Sequence, residues 1–155
     1  MRLSRDDFLR VIAATPLVSI DLVIRKPGGE VLVGLRRNRP ARDSWFVPGG
    51  RIYKGETLEQ AFSRTVEAEV GASWELEQAS SLGNFTHIYP DNALEEAHVG
   101  THYVVLAYQV DVAEDFLPRQ SDQHNEWRWV KLADYPDFGG RGEAYPIHSN
   151  CLPYL

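Results

Sequence analysis

The stretch VPGGRIYKGETLEQAFSRTVEAEVGA, residues 47–72, constrains the chain more than any other. Gly49 and Gly50 open it as a loop, and Lys54–Gly55 reads as a turn. Thr57 suits the cap of a helix over 58–70, and Gly71 suits its C-terminal stop. Residues three and four apart share a helix face, so positions 65, 68 and 69 form one patch, occupied by Thr65, Ala68 and Glu69. That patch holds a single carboxylate. Glu67 does not join it, being rotated roughly 200° from position 65. Leu58, Ala61, Phe62, Thr65, Val66 and Val70 make no clean stripe, which fits a helix with one face in a core and one face at work. Arg64 on this helix is expected to orient Glu56 or Glu69 rather than to touch a ligand.

The rest of the chain sets the context. A length of 155 residues suits one domain, residues 1–155, with a real core. A net charge of −6 argues against non-specific nucleic-acid binding, which needs basic patches. The single Cys151 excludes an intrachain disulfide and fits a reducing compartment. The opening MRLSRDDFLR lacks the apolar run of a signal peptide. No stretch approaches the ~20 apolar residues of a membrane span. A soluble, cytoplasmic protein is expected.

Taken in order, residues 5–13 read as a short helix capped by Ser4, with Phe8, Val11 and Ile12 as its apolar stripe. Phe8 there serves a core or covers a planar ligand together with Leu3. Leu17 to Ile24 reads as a strand with Asp21 inside the apolar run. A carboxylate in a buried strand needs a partner, so Asp21 either binds an Arg structurally or faces a site. KPGG at 26–29 is a hairpin turn leading to a second strand, Glu30 to Leu35. Next comes a loop with Arg36, Arg37, Arg39 and Arg42, a local basic spot in an acidic chain and a phosphate contact for at least one of them. Arg51 and Ile52 form a short strand. After the helix, Trp74 to Tyr89 reads as strand with a bend at Gly83, and residues 101–110 as another, in which Tyr103 and His102 face opposite ways. His87 and Tyr89 share a face. A loop over 116–126 holds Gln123 and His124, followed by a last strand at 127–130 and a helical turn at 132–135. An amide oxygen suits a hard cation, and an imidazole suits a base near neutral pH; equally, a loop His is a solvated side chain. The tail after Phe138 carries no placeable element. Strands interleaved with one long and two shorter helices indicate an α+β domain.

Gly50, Glu56, Arg64, Val66, Glu69 and Gly71 resemble the Nudix box, G-x5-E-x7-R-E-U-x-E-E-x-G-U with U a bulky aliphatic residue. Ala72 fits its last position weakly, and Thr65 and Ala68 stand where the box has Glu. In most Nudix enzymes this helix patch carries three carboxylates, which collect divalent cations or supply a base. Their loss implies fewer metal ions, a metal ligand from outside the helix and a base from elsewhere. Beyond the box, DDF at 6–8, ATPLVSIDLVI at 14–24, NRPARDSWFVPGGRI at 38–52, THYVVL at 101–106, and DQH followed by RW within 122–129 resemble the GDP-mannose mannosyl hydrolase family, over roughly residues 3–132.

That resemblance implies a Nudix fold, a mixed β-sheet sandwiched between helices. It implies hydrolysis of GDP-mannose, or GDP-glucose, by water attack at sugar C1 with inversion. One Mg²⁺, with Mn²⁺ as the alternative, would be held by the Gly49 carbonyl, Glu69 and Gln123. His124 would be the general base. Arg36 and Arg51 would stabilise the leaving diphosphate, and Asp21, His87 and Tyr103 would contact sugar or phosphate, Asp21 and Arg36 counting with His124 as the catalytic set. Leu3 and Phe8 would touch guanosine, and the protein would be a homodimer. Rival readings are a pyrophosphatase cutting at phosphorus and a non-catalytic nucleotide-sugar sensor.

Overall fold

The computed structural model describes residues 3–119, 124–134 and 145–155, with the backbone alone at 124 and 125. Its centre is an apolar strand, β1 (Leu17–Arg25). β1 runs parallel to β6 (Thr101–Asp111) along nine residue pairs, from Leu17↔Tyr103 to Arg25↔Asp111. β5 (Ser80–Tyr89) pairs antiparallel with the far side of β6, with a register shift between Ser81 and Gly83. The bend expected at Gly83 is this bulge, where φ is +119°. On its other side β1 meets β2 (Val31–Arg36) only at the hairpin end, through Arg25↔Val31. The two strands then part. β2 turns to β3 (Trp45–Phe46) and β7 (His124–Val130), while β4 (Gly49–Arg51) takes up the opened side of β1 at residues 19–21. The described strands form one mixed sheet, as expected for α+β.

Both faces of this sheet are covered. α2 (Leu58–Val70) lays Ala61, Phe62, Val66 and Val70 on Ile20, Leu22, Ile24 and Leu32. Burial of a side chain such as Phe62 contributes about 1.5–3 kcal/mol. The helix starts where the sequence indicates. Thr57 Oγ1 accepts from the Gln60 amide at 3.3 Å, and the Gln60 side chain accepts from the Thr57 amide at 2.9 Å. It stops at Gly71, whose φ of +70° few residues with a side chain adopt without strain. α1 (Arg5–Ala14) is capped by Ser4, which accepts from the Asp7 amide at 3.2 Å.

The opposite face is filled by the tail. Ile147, Cys151 and Tyr154 pack with Val23, Val33, Trp45, Phe46 and Val47. The segment is pinned to β3 by two backbone bonds, Trp45 N–H to the Pro146 carbonyl at 2.8 Å and His148 N–H to the Trp45 carbonyl at 2.9 Å. It ends in a 3-10 turn, Ser149–Tyr154. The second helical layer is therefore this short turn.

Three expectations need correction. Residues 74–79 are not strand: a 3-10 turn, Leu76–Gln78, precedes β5. Ile52 lies outside β4, and its amide instead donates to the Val18 carbonyl at 2.9 Å. His124 is not in a loop but opens β7, three residues before the expected strand start. No helix among the described residues is long and apolar enough to cross a membrane.

Candidate active site

The parting of β1 and β2 opens a cleft of about 530 Å³. β1 supplies Asp21, β2 Arg36, β4 Gly49, Gly50 and Arg51, α2 Thr65 and Glu69, β5 His87 and Tyr89, and β6 Tyr103. Phe8 of α1 forms its lip, with the Arg51 guanidinium 4.1 Å above the ring. Eight candidate site residues of the sequence reading thus line one cleft: Phe8, Asp21, Arg36, Gly49, Arg51, Glu69, His87 and Tyr103. Leu3 is exposed and lies outside the lining. Gln123 lies outside the described residues. His124 is placed by its backbone, in register opposite Arg36, which puts the start of β7 beside the cleft.

Glu56 and Arg64 brace the end of β4, the strand that carries Gly49 and Gly50 in place of the expected loop, and the turn after it. Arg64 donates to both Glu56 oxygens, at 2.5 and 2.8 Å, and to the Arg51 carbonyl at 2.9 Å. Glu56 Oε2 also accepts from the Tyr53 amide at 2.8 Å. As expected, Arg64 is a brace. The Arg64 hydrogen bonds hold the Glu56 carboxyl below its usual range. Glu56 therefore favours the folded state above the unfolded carboxyl pKa, and that contribution is lost as pH falls through the depressed folded value. Glu56→Gln should cost about 1–3 kcal/mol near neutral pH. The gap between variant and parent should close as pH falls below the usual carboxyl range in urea titrations; a gap that persists in acid assigns the loss to shape, not charge.

The acidic part of the lining is small. Glu69 is 5% exposed and is the cleft's carboxylate from α2. Gly49 sits so close to β1 that a Cβ would fall 2.6 Å from both the Ile20 carbonyl and Asp21 Oδ1, so only glycine fits. Thr65, where a Glu was displaced, buries its hydroxyl with no hydrogen-bond partner among the described residues. No group of three or more His, Cys, Asp and Glu able to hold a metal occurs among those residues. The donors at hand are one carboxylate and neutral oxygens, a hard set that fits Mg²⁺ or Mn²⁺ and is poor in charge.

The remainder of the lining is polar and largely buried. Asp21 is 6% exposed and accepts from the Tyr154 hydroxyl. Burial pushes its carboxyl up to about 7, against the pull of the Tyr154 hydroxyl and the Arg36 charge. His87 is driven down to about 4 by burial, so it is a neutral imidazole at pH 7. Its Nδ1 lies 3.4 Å from the Tyr89 hydroxyl. Arg36 buries Nε with no hydrogen-bond partner among the described residues. Two of the loop arginines are accounted for elsewhere: Arg39 binds Asp91 at 2.6 Å, and Arg42 binds Glu95 at 2.5 Å. These tie the arginine loop to the acidic loop 90–100; Arg39 still borders the cleft, together with Arg36, Arg51 and Arg64.

Two contributors escaped the sequence reading. Tyr89 was seen only as a neighbour of His87, although it lines the cleft. Tyr154 lies behind Asp21, in a tail that carried no placeable element. A signal existed: Ile147, Cys151 and Tyr154 recur at the i, i+4, i+7 spacing of one helical face.

The model of the NUDIX domain matches residues 15–154. A curated relative, the low-salt glycan biosynthesis protein Agl8 of Haloferax volcanii, is 42% identical over 125 residues, 81% of this chain and 77% of its own. The MutT NUDIX hydrolase from Burkholderia pseudomallei superposes with a TM-score of 0.66 at 27% identity, covering 87% of this chain and 92% of its own. A bifunctional NMN adenylyltransferase/ADP ribose pyrophosphatase from Francisella tularensis, in complex with AMP and a Mn ion, shares the fold at a TM-score of 0.57 and 20% identity, over 83% of this chain and 37% of its own.

Proposed function

Because the chain belongs to the Nudix hydrolases, with its NUDIX domain spanning residues 15–154, we propose that it hydrolyses a GDP-sugar, GDP-mannose or GDP-glucose, to GDP and the free sugar. Nudix hydrolases act on nucleotide derivatives and use divalent cations. The observation that carries the finer reading is the mixed lining of the cleft. A single helix carboxylate, Glu69, and the guanidinium groups of Arg36 and Arg51 share it with buried Asp21 and His87 and with Tyr103. The cations suit a diphosphate, and the buried polar groups suit a polyol beside it. The 42% identity to a protein named for glycan biosynthesis supports a sugar-bearing substrate.

A diphosphate leaves with growing negative charge, which preorganised cations stabilise. Arg36 and Arg51 do this from β2 and β4. Glu69, the Gly49 carbonyl and Gln123 would hold Mg²⁺ or Mn²⁺, which when bound offsets diphosphate charge. Beside the diphosphate Asp21 accepts from sugar hydroxyls, and neutral His87 and Tyr103 complete the polar wall. Attack at C1 with inversion needs a base on the face opposite the leaving group. His124, opposite Arg36 in register, is assigned that role. Phe8, with Arg51 above it, takes the guanosine side, and Leu3 extends that side. Homodimer formation and a cytoplasmic site of action belong to the same reading.

The test is product analysis on a panel of nucleotide sugars with Mg²⁺. GDP plus free mannose or glucose is the expected result. GMP plus sugar 1-phosphate would make the enzyme a pyrophosphatase acting between the phosphorus atoms, and no turnover of any member would make it a binding protein.

A further inference from the structure

The buried carboxyl in the cleft lining does not hold its own orientation. Asp21 stands on β1, and the hydrogen bond that reaches it comes from the C-terminal 3-10 turn, on the face of the sheet away from α2 that Asp21 shares with Val23. Tyr154 is 6% exposed and is not part of the cleft lining. Its ring is fixed from three directions. It stacks on His87 with centroids 5.9 Å apart and planes at 19°, and it meets the edge of Phe85 at 4.8 Å. The turn that bears it is bolted to β3 through Pro146 and His148. Asp21 Oδ2 is the atom that takes the tyrosine hydroxyl, while Oδ1 lies over Gly49, on the cleft side.

We propose that Tyr154 is a positioning residue: by donating to Oδ2 from behind, it turns Oδ1 of Asp21 toward the cleft as an acceptor for a hydroxyl of the sugar. Taking up one oxygen fixes the carboxyl plane, which a β-strand Asp otherwise leaves free to rotate about χ2. The same ring presses on His87, so one side chain from the tail aligns two of the buried polar groups. This role rests on the reading of those groups as the sugar pocket.

The experiment is a double-mutant cycle of Tyr154→Phe and Asp21→Asn, read as kcat and KM on the nucleotide sugar that the parent turns over best, with GDP affinity measured alongside by calorimetry. Phe keeps the ring and its packing and removes only the hydroxyl. Tyr154→Phe alone should lower kcat/KM about 10-fold, the scale of one hydrogen bond to a charged group. In the Asp21→Asn background the same change should add less than about 2-fold, because coupled sites are not additive. Affinity for GDP, which lacks the sugar, should stay within about 2-fold of the parent. Equal effects of Tyr154→Phe in both backgrounds, or a parallel loss of GDP affinity, would overturn the proposal, as would parental kcat/KM in the single variant. A parent that releases no GDP from any GDP-sugar refutes the sugar reading by itself. The cycle then runs on the nucleoside diphosphate derivative it does hydrolyse or bind, where absence of coupling refutes the role of Tyr154.

Discussion

Replacing His124 by Gln is expected to lower kcat by roughly 10²–10⁴-fold, the usual range for a positioned base, while KM changes little. The reasoning runs through what the site lacks. The working face of α2 retains Glu69, and Thr65 and Ala68 fill the positions of the other two carboxylates. Glu69 lines the cleft with Gly49, and the proposed function assigns it to the cation at the diphosphate. His87 is neutral at pH 7 but driven down to about 4, which makes it a weak base. An imidazole with an ordinary pKa titrates in the right range, and β7 begins at His124, opposite Arg36. Stopped-flow or coupled assays of GDP release would measure the loss. Unchanged turnover would remove His124 from the chemistry. It would then point to Asp21, whose carboxyl burial raises to about 7, as the base in its place.

The second large effect is at Glu69. Glu69→Gln should raise the Mg²⁺ concentration needed for half-maximal rate and lower kcat/KM at fixed Mg²⁺ by at least roughly 10–100-fold, since that is the scale even for groups that merely orient a metal ligand. In a three-carboxylate patch one amide substitution leaves two charges to hold a cation. Here the described donors beside Glu69 are neutral oxygens, so the substitution takes the whole negative charge of the helix patch. Titration of activity against Mg²⁺ and Mn²⁺ measures it. A metal requirement that does not move would show that the cation is held elsewhere.

Local signals made the helix legible. The Thr57–Gln60 box and Gly71 reproduce the predicted span 58–70 to the residue, because caps are chemical and depend on few neighbours. Asp21 was legible as an anomaly, a carboxylate in an apolar run; of its two open readings, an arginine partner or a place facing a site, the structure puts it in the cleft lining and gives it a different partner. That partner is a tyrosine 133 positions away, and no local pattern encodes so distant a contact. Residues 74–79 misled because Trp74 and Leu76 look strand-like while packing beside α2 as a loop and 3-10 turn. The arginine loop was legible only in part for a related reason. Four arginines promised a phosphate contact for at least one of them without saying which, and the acidic loop 90–100, some fifty residues on, takes Arg39 and Arg42. Charge in a sequence says that a partner exists and leaves its identity to the fold.

The account stands on attack at carbon, and hydrolysis in ¹⁸O-water reads that directly. Mass spectrometry of the products should place the label in the free sugar and leave GDP unlabelled. Label in the phosphate of GDP or GMP would mean that water attacks phosphorus, and the proposed assignment of the cleft would be wrong.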